Sequence, residues 1–508
     1  MRDALMAYLT SAARGADHTA SVLAGAEAVA ADPWAVVHNA GRLARAARVV
    51  APQDLGLSAR LGVVKPTSRS ALVRVDAGQP FPTNDVRGRR GRGAFDTPAE
   101  MAREVVRRTM DATFGPVRAG LDPACGTGAF LLAMQEAGVP EIYGTDLDPV
   151  ALEVARIAVP SARVHIDDAL RYGPTVDLVC GNPPYVPPER QDRGLRDDLR
   201  RRFPWLGGRF DLAIPFAATA VERARPGGGI GLVLPYAALV QPYGATLRRR
   251  WMERHRVAFL TGPLPFPGVS VEVGLVVLAS GEGPAPLPDG GMSAEELLRL
   301  DGVPLSAMLL PGDVHLVEAM RSRAAPLGTL AKIDTGLVAH GPDGGKARLL
   351  SDSPGEGRVP YADAKGFFTG RIQWLDYRPE RMHRAKSPEL FEADKIVIQR
   401  IRGRGTVRAA IDRMNTYVGH TCTVVVPHDP RLELGPLLDL VRSPLVDGLT
   451  RIERGERLDL YPHDVAAMPV PVDWLKDPEL PLQEAFGLSD AQTARLMHVA
   501  ARRDGAPG

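Results

Sequence analysis

The feature that most restricts the fold is a rhythm of short apolar runs, each closing on an acid or an amide, with helix-like stretches between them, from Pro116 to Leu239. The first run ends at Asp122, the second at Asp146, the third at Asp167 and Asp168, and the fourth, VDLVCG, leads into Asn182. Strand-length runs alternating with helical patterns predict βα units of an open sheet, which binds ligands at the carboxyl ends of its strands. The expected fold class is therefore α/β, with Asp122, Asp146, Asp168 and Asn182 along one edge. Each carboxylate alone reads first as a cap or a solvated loop acid; the ordered set points to a site.

Between the first run and its helix lies DPACGTGAF (Asp122–Phe130). Pro123 and Ala124 lead into a turn in which Gly126 and Gly128 let a ligand approach the backbone. The spacing is not the dinucleotide G-x-G-x-x-G, and the lysine of a phosphate-binding loop is missing. Asp146 follows at the distance where an acid holds ribose hydroxyls in a doubly wound sheet. Asp168 can meet an adenine amine. After the fourth run, Gly181 permits a tight turn, and Asn182, Pro183, Pro184 and Tyr185 follow at once. Two adjacent prolines fix φ and remove two donors, so the loop is stiff and offers acceptors. It reads in two ways: a proline-rich turn ending a strand, or a clamp in which the Asn182 oxygen and the Pro183 carbonyl each accept one N–H of a planar amine while Tyr185 stacks on its ring. Upstream, Thr97 is placed to cap a helix, with Pro98 at its first position and Glu100 three residues after the cap. Downstream, Phe266 lies between prolines, a poor place to bury a ring, which favours an exposed stacking role.

The 508 residues leave ample chain for more than one domain, and an apolar fraction of 45% with 24% charged residues is that of a globular protein. No apolar run approaches the roughly 18 residues of a membrane span, and the start lacks the pattern of a secretory signal, so a cytoplasmic protein with no membrane partner is expected. Cys125, Cys180 and Cys422 are too widely spaced for a disulfide framework or a zinc site and read as small core residues. A net charge of +2 does not by itself argue for nucleic acid, and 55 Arg against 7 Lys reflects a skewed composition. Residues 1–76 are expected to be a helical accessory region. With Glu27 and Lys65 as its sole Glu and Lys up to residue 75, it cannot assemble the acids and lysine of a metal-dependent nuclease. Residues 77–93, with Arg87, Arg89, Arg90 and Arg92, read as a basic linker, and 281–292 as a second linker. The arginine-rich stretch Glu189–Arg202 reads as a solvated helix face before DNA contact. Beyond residue 293, strands and Gly/Pro turns replace the βα rhythm. Arg400, Arg402, Arg404 and Arg408 would share one face of a single strand. Residues 476–508 read as a peripheral helix and tail.

The ordered motifs FDTP (Phe95–Pro98), DPACGTGAF, TDLDP (Thr145–Pro149), DDAL (Asp167–Leu170), NPPY (Asn182–Tyr185) and FPGVSVEV (Phe266–Val273) resemble those of the amino-group DNA methyltransferases, in the class with catalytic motifs first and target recognition last. The C-terminal part is similar to the specificity domain of the TaqI-like and Eco57I-like branch through IDTGLVAHGPD, VPYADAKGFF and DKIVIQRI. The resemblance implies a Rossmann-like methyltransferase domain over 94–280, a mixed α+β target-recognition domain over 293–475, and S-adenosylmethionine as methyl donor. Thr97 and the turn from Asp122 through Pro123, Ala124, Gly126 and Gly128 would surround the methionine part. Asp146 would hold the ribose, where relatives often have Glu, and Asp168 the adenine, with Asn182 also beside the donor. Asn182, Pro183, Pro184, Tyr185 and Phe266 would form the catalytic set that holds and stacks a flipped base. The expected function is site-specific methylation of adenine N6 in double-stranded DNA, serving a restriction or phage-defence system with a separate endonuclease or defence subunits. The alternatives are a cytosine-N4, RNA or protein-amide methyltransferase, and a catalytically inert DNA-binding subunit.

Overall fold

Seven strands join into one sheet: β1 (Ala119–Asp122), β2 (Glu141–Asp146), β3 (Arg163–Ile166), β4 (Val176–Gly181), β5 (Ala224–Pro235), β6 (His255–Pro265) and β7 (Glu272–Ser280). Their order is β3-β2-β1-β4-β5-β7-β6. The first five are parallel, whereas β7 runs antiparallel to both β5 and β6. This computed structural model describes residues 7, 11, 18–38, 97–266, 271–280, 294–300, 302–306, 309–339, 349–382, 385–400, 406–455 and 459–501. The expected linkers at 77–93 and 281–292 lie outside them, as do Phe95, Asp96, Arg402, Arg404 and residues 267–270. No helix among the described residues is long and apolar enough to cross a membrane.

The sheet follows from its sequence. All six residues of β4, VDLVCG, are buried, as a central parallel strand covered on both faces requires. Helices α1 (His18–Glu27), α2 (Ala99–Ala112), α3 (Ala129–Glu136), α4 (Pro149–Ala158), α5 (Arg193–Arg202) and α6 (Ala213–Arg223) belong to the same unit. In α2, Ala102, Val105, Val106, Thr109 and Ala112 recur at helical spacing and form the buried face, while Arg103, Arg107 and Arg108 pair with Glu100, Glu104, Glu136 and Asp111. The arginines of α5 are likewise engaged: Arg200 and Arg201 reach Asp197 and Asp198, and Arg202 reaches Glu222. That matches a solvated helix face.

The chain divides into two compact units, Met1–Ala307 and Met308–Gly508. The division falls after the expected 281–292 linker because residues 302–306 are bound into the first unit. The fully buried Arg248 guanidinium donates to the carbonyls of Ala238, Gln241, Gly302 and Val303 at 2.5–2.8 Å. Leu305 N donates to Leu239 O.

In the second unit, one four-stranded sheet has the order β10 (Leu350–Ser351), β12 (Gln373–Asp376), β11 (Arg358–Ala362), β15 (Tyr417–Val418). The other runs β14 (Ala409–Asp412), β13 (Lys395–Gln399), β16 (Cys422–Pro427), β9 (Ala331–Thr335), and a short pair joins β8 (Ala324–Pro326) to β17 (Pro469–Pro471). The single arginine-bearing strand expected through Arg400 and Arg408 is instead two antiparallel strands. β13 ends before Arg400, β14 begins after Arg408, and Gln399 N donates to Arg408 O at 2.8 Å. Arg400 and Arg408 thus flank a hairpin connection. Arg400 lies over the Tyr461 ring and Arg408 over Phe368. Lys395, wholly buried, pairs with Asp412 across the β13–β14 ladder at 2.6 Å. The closing helix is not peripheral: α8 (Asp490–Ala501) packs on α7 (Pro444–Arg454), buries Leu496 and Val499, and sends Arg495 to Asp313 at 2.7 Å.

Candidate active site

Strand order reverses at β1, with β2 and β3 on one side and β4 and β5 on the other. The crevice between the ends of β1 and β4 is therefore the switch point at which open sheets bind ligands. Gly181 makes this junction close. A Cβ there would lie 2.8 Å from Asp122 Oδ1 and 3.3 Å from Pro123 Cδ, so a side chain would drive the NPPY loop away from β1.

The Gly-rich turn is fastened to the next strand by two bonds. Cys125 N donates to Thr145 O at 2.9 Å, and Gly126 N donates to Asp146 Oδ2 at 2.8 Å. Gly128 adopts φ 98° as the residue that starts α3, a conformation that favours glycine. Asp146 Oδ1 accepts Asp148 N at 2.9 Å. Each carboxylate oxygen carries two lone pairs, so a single such bond does not exhaust it as an acceptor. Asp168 follows β3, accepts Leu170 N at 3.0 Å and faces Arg171 Nε at 3.3 Å, the partners of an acid that also stabilises its own turn. Asp122 is buried at the end of β1 and accepts Ala124 N at 3.0 Å. Burial raises its carboxyl to about 8 against the lowering effect of that bond, and the Asp146 charge adds to the rise.

Asn182 is half-buried and both ends of its amide are engaged. Its Nδ2 donates to Thr97 Oγ1 at 3.0 Å, while its Oδ1 lies 2.5 Å from the Tyr185 hydroxyl. That hydroxyl is also 3.0 Å from Val233 O, and with one proton it donates to one acceptor at a time. Thr97 does not cap α2; the cap position is Pro98, with no side-chain cap bond, and the threonine hydroxyl is used by Asn182 instead. Pro183 is buried and Pro184 half-buried. Tyr185 and Phe266 are 7% and 3% exposed, so neither shows the open aromatic face expected of it. Phe266 closes the end of β6, and tertiary packing there covers a ring that its proline neighbours alone would have left in solvent.

The structure adds residues to the set. Asp211 accepts Ala213 N at 2.9 Å and a backbone hydrogen bond from Val186, so it anchors the residue that follows Tyr185. Burial lifts its carboxyl to about 6, and with burial foremost its charge helps to hold the Tyr185 phenol well above the usual range. Leu147 and Ile166, 45% and 55% exposed, place apolar surface beside the edge acids Asp146 and Asp167. Each lies next to an acid that drew attention in the sequence, but only the structure shows it uncovered. All three cysteines are buried, and burial raises the Cys180 thiol to about 12.

The sheet order, with the acids ranged along its carboxyl edge, is that of a doubly wound, Rossmann-like α/β sheet. Residues 173–261, which include the whole NPPY loop, match the family model described as Eco57I restriction-modification methylase. The chain is 25% identical over 344 residues to the type II methyltransferase M.TthHB8I of Thermus thermophilus, covering 63% of this chain and 77% of that protein. It is 25% identical over 230 residues to the type II methyltransferase M.PaeR7I of Pseudomonas aeruginosa, spanning 39% of this chain and only 40% of that protein. Among solved structures, the DrdV–DNA complex is similar with a TM-score of 0.49 at 11% identity, over 77% of this chain and 57% of that one.

Proposed function

We propose that this chain transfers the methyl group of S-adenosylmethionine to an exocyclic amine of a base in double-stranded DNA, with adenine N6 as its target. One observation carries the reading: Asn182, followed by the Pro183 carbonyl, stands at the sheet's switch point directly after Gly181, which closes on Asp122 and Pro123. The residues present fit the donor. An added Cβ at Gly126 meets nothing within 4 Å, so the turn is open to close approach. Asp146 presents a carboxylate to ribose hydroxyls, Asp168 one to an amine, and Leu147 and Ile166 offer apolar faces for a planar ring. Thr97 and residues Asp122 to Gly128, with Pro123 and Ala124 among them, border the space assigned to the methionine part.

Bound S-adenosylmethionine supplies an electrophilic methyl on a sulfonium. An exocyclic amine is a weak nucleophile because its lone pair is delocalised into the ring. Asn182 Oδ1 and the Pro183 carbonyl each accept one amine hydrogen, hold the nitrogen out of plane and stabilise the positive charge that develops on it, a preorganised electrostatic role. With the donor bound, its methyl would pass from sulfur to the amine nitrogen, leaving S-adenosylhomocysteine, and the surplus amine proton would go to water, while Asn182 and the Pro183 carbonyl hold the amine. A direct displacement asks nothing of a thiol, in keeping with Cys125 and Cys180 as packing residues. Reaching the amine inside a duplex requires base flipping at a cost of a few kcal/mol, offset in part by stacking of about 1–3 kcal/mol per contact. Because Tyr185 and Phe266 are buried, their stacking requires that the base displace what covers their rings, while Pro184 keeps the NPPY loop stiff. The second unit is assigned to target recognition, and cleavage to a separate endonuclease or defence subunit.

The test is transfer of labelled methyl to duplex DNA by wild type and Asn182→Ala, followed by digestion to nucleosides. Wild type is expected to yield N6-methyladenine, with turnover lower by about 10²–10³ in the variant, as for loss of one preorganised hydrogen-bonding group. Equal transfer by the two proteins would sink the clamp, N4-methylcytosine would move the target, and transfer to no DNA would overturn the reading.

A further inference from the structure

The N-terminal region reaches the candidate site. Asp32 begins a helical turn over residues 33–38 by accepting Ala35 N at 3.1 Å, with Pro33 at its first position. Val36 and Val37 are buried. Trp34 stacks on His38, with ring centroids 5.4 Å apart; its Nε1 donates to Glu136 Oε1 at 2.6 Å, and Arg103 lies over its ring. The turn is thus clamped to α2 and α3, the helices that flank the Gly-rich turn, while α1 packs on α4. Two bonds then run into the site. Thr127, between the two glycines of the turn, donates Oγ1 to Val37 O at 3.0 Å. His38 Nε2 lies 3.1 Å from Thr97 O. Nδ1 faces a second carbonyl, Trp34 O at 3.2 Å; a carbonyl only accepts, so a neutral ring donates to one of the two at a time, and the bond to Thr97 needs the proton on Nε2. Thr97 in turn holds the Asn182 amide through Oγ1.

We propose that residues 33–38 are a structural part of the donor site, and that His38 is a positioning residue that fixes Thr97 and, through it, Asn182. The inference rests on the methyltransferase reading above. His38 does not touch the reacting atoms in this scheme. Its Nε2–H fills the acceptor demand of a carbonyl at the start of α2, so the hydroxyl one side chain away stays aimed at Asn182. Thr127 and Val37 make a second tie, which joins the Gly-rich turn to the same helical turn. A segment so far toward the N-terminus then sets the shape of a pocket whose other walls come from the strand ends.

The experiment compares wild type, His38→Ala and His38→Gln in the full chain. S-adenosylmethionine affinity is read by calorimetry, methyl transfer to duplex DNA at saturating donor, and thermal unfolding in parallel. Both variants lose the Trp34 stack, but the Gln amide retains an N–H within reach of Thr97 O. The expected result is donor binding and turnover each weakened about tenfold in His38→Ala, as for loss of one hydrogen bond, with His38→Gln recovering most of both while its unfolding temperature falls with that of the Ala variant. Equal behaviour of His38→Ala and wild type, or equal losses in the Ala and Gln variants, would overturn the inference. Wild type that binds no S-adenosylmethionine would overturn both readings. Wild type that binds donor but methylates no DNA would remove the proposed function alone, and the donor affinities of the two variants would still decide the role of His38.

Discussion

With Asp122 in the proposed donor site, donor binding answers to pH in a calculable way. Its carboxyl, raised by burial to about 8, is protonated at neutral pH, about ten to one at pH 7. The donor carries a sulfonium and an α-ammonium. Bringing positive charge to the end of β1 favours the ionised carboxylate, so its pKa falls on binding and a proton is released. If the bound carboxylate returns to its ordinary value near 3.9, binding at pH 7 releases about 0.9 proton per site. The sign follows from the direction of the shift: affinity rises with pH while the free carboxyl is still protonated and levels off above about 8. The slope is tenfold per pH unit, ~1.4 kcal/mol, between pH 5 and 7. Calorimetry at pH 7 in phosphate and in Tris, whose ionisation heats differ, counts the protons directly. Asp122→Asn should remove this release, while any contribution from the donor's own α-amino group persists. Binding heats independent of buffer in the wild type would refute the reasoning, as would a release unchanged in the Asn variant.

Two further outcomes can be checked. Tyr185→Phe removes the hydroxyl that bridges Asn182 Oδ1 and Val233 O, leaving a buried acceptor unsatisfied; stability should fall by about 1–3 kcal/mol in denaturant unfolding, and turnover should fall more than donor affinity. In the second unit, Lys395→Met strands Asp412, which also accepts Met414 N, Thr416 N and Thr416 Oγ1. A loss of about 3–5 kcal/mol is expected, with Lys395→Met/Asp412→Asn recovering part of it, and equal midpoints for the single variant and wild type would refute the pairing.

The edge of the sheet was legible because its signals are local. Strand length, a Gly-rich turn and an acid at each strand end put Asp122, Asp146, Asp168 and Asn182 on one rim, and β1 to β4 deliver them there. What escaped depends on contacts across long stretches of chain. Thr97 has the local grammar of a cap, yet it serves Asn182, 85 positions away; His38 reaches Thr97 across 59. Neither bond leaves a periodic trace. Phe266 and Tyr185 look exposed by their neighbours and are buried by elements from elsewhere in the fold. The stretch Ile396–Ile411 alternates like one strand, but the pairing of Ile396 with Ile411 folds it back on itself. The end of the first unit escaped too, since it is fixed by carbonyls converging on Arg248 rather than by a change in composition.

The engagement of both ends of the Asn182 amide has a consequence for discrimination. A clamp whose oxygen waited bare would be rewarded by almost any group that donates a hydrogen. In the proposed clamp the Tyr185 hydroxyl takes one of that oxygen's two lone pairs, so the direction from which a second donor can come is set by the pair that remains. A ring edge that presents a carbonyl has nothing to offer the oxygen. An amine has two hydrogens to share between that remaining lone pair and the Pro183 carbonyl. Tyr185 in this arrangement is an aiming device, narrowing the approach to one side of the Asn182 oxygen.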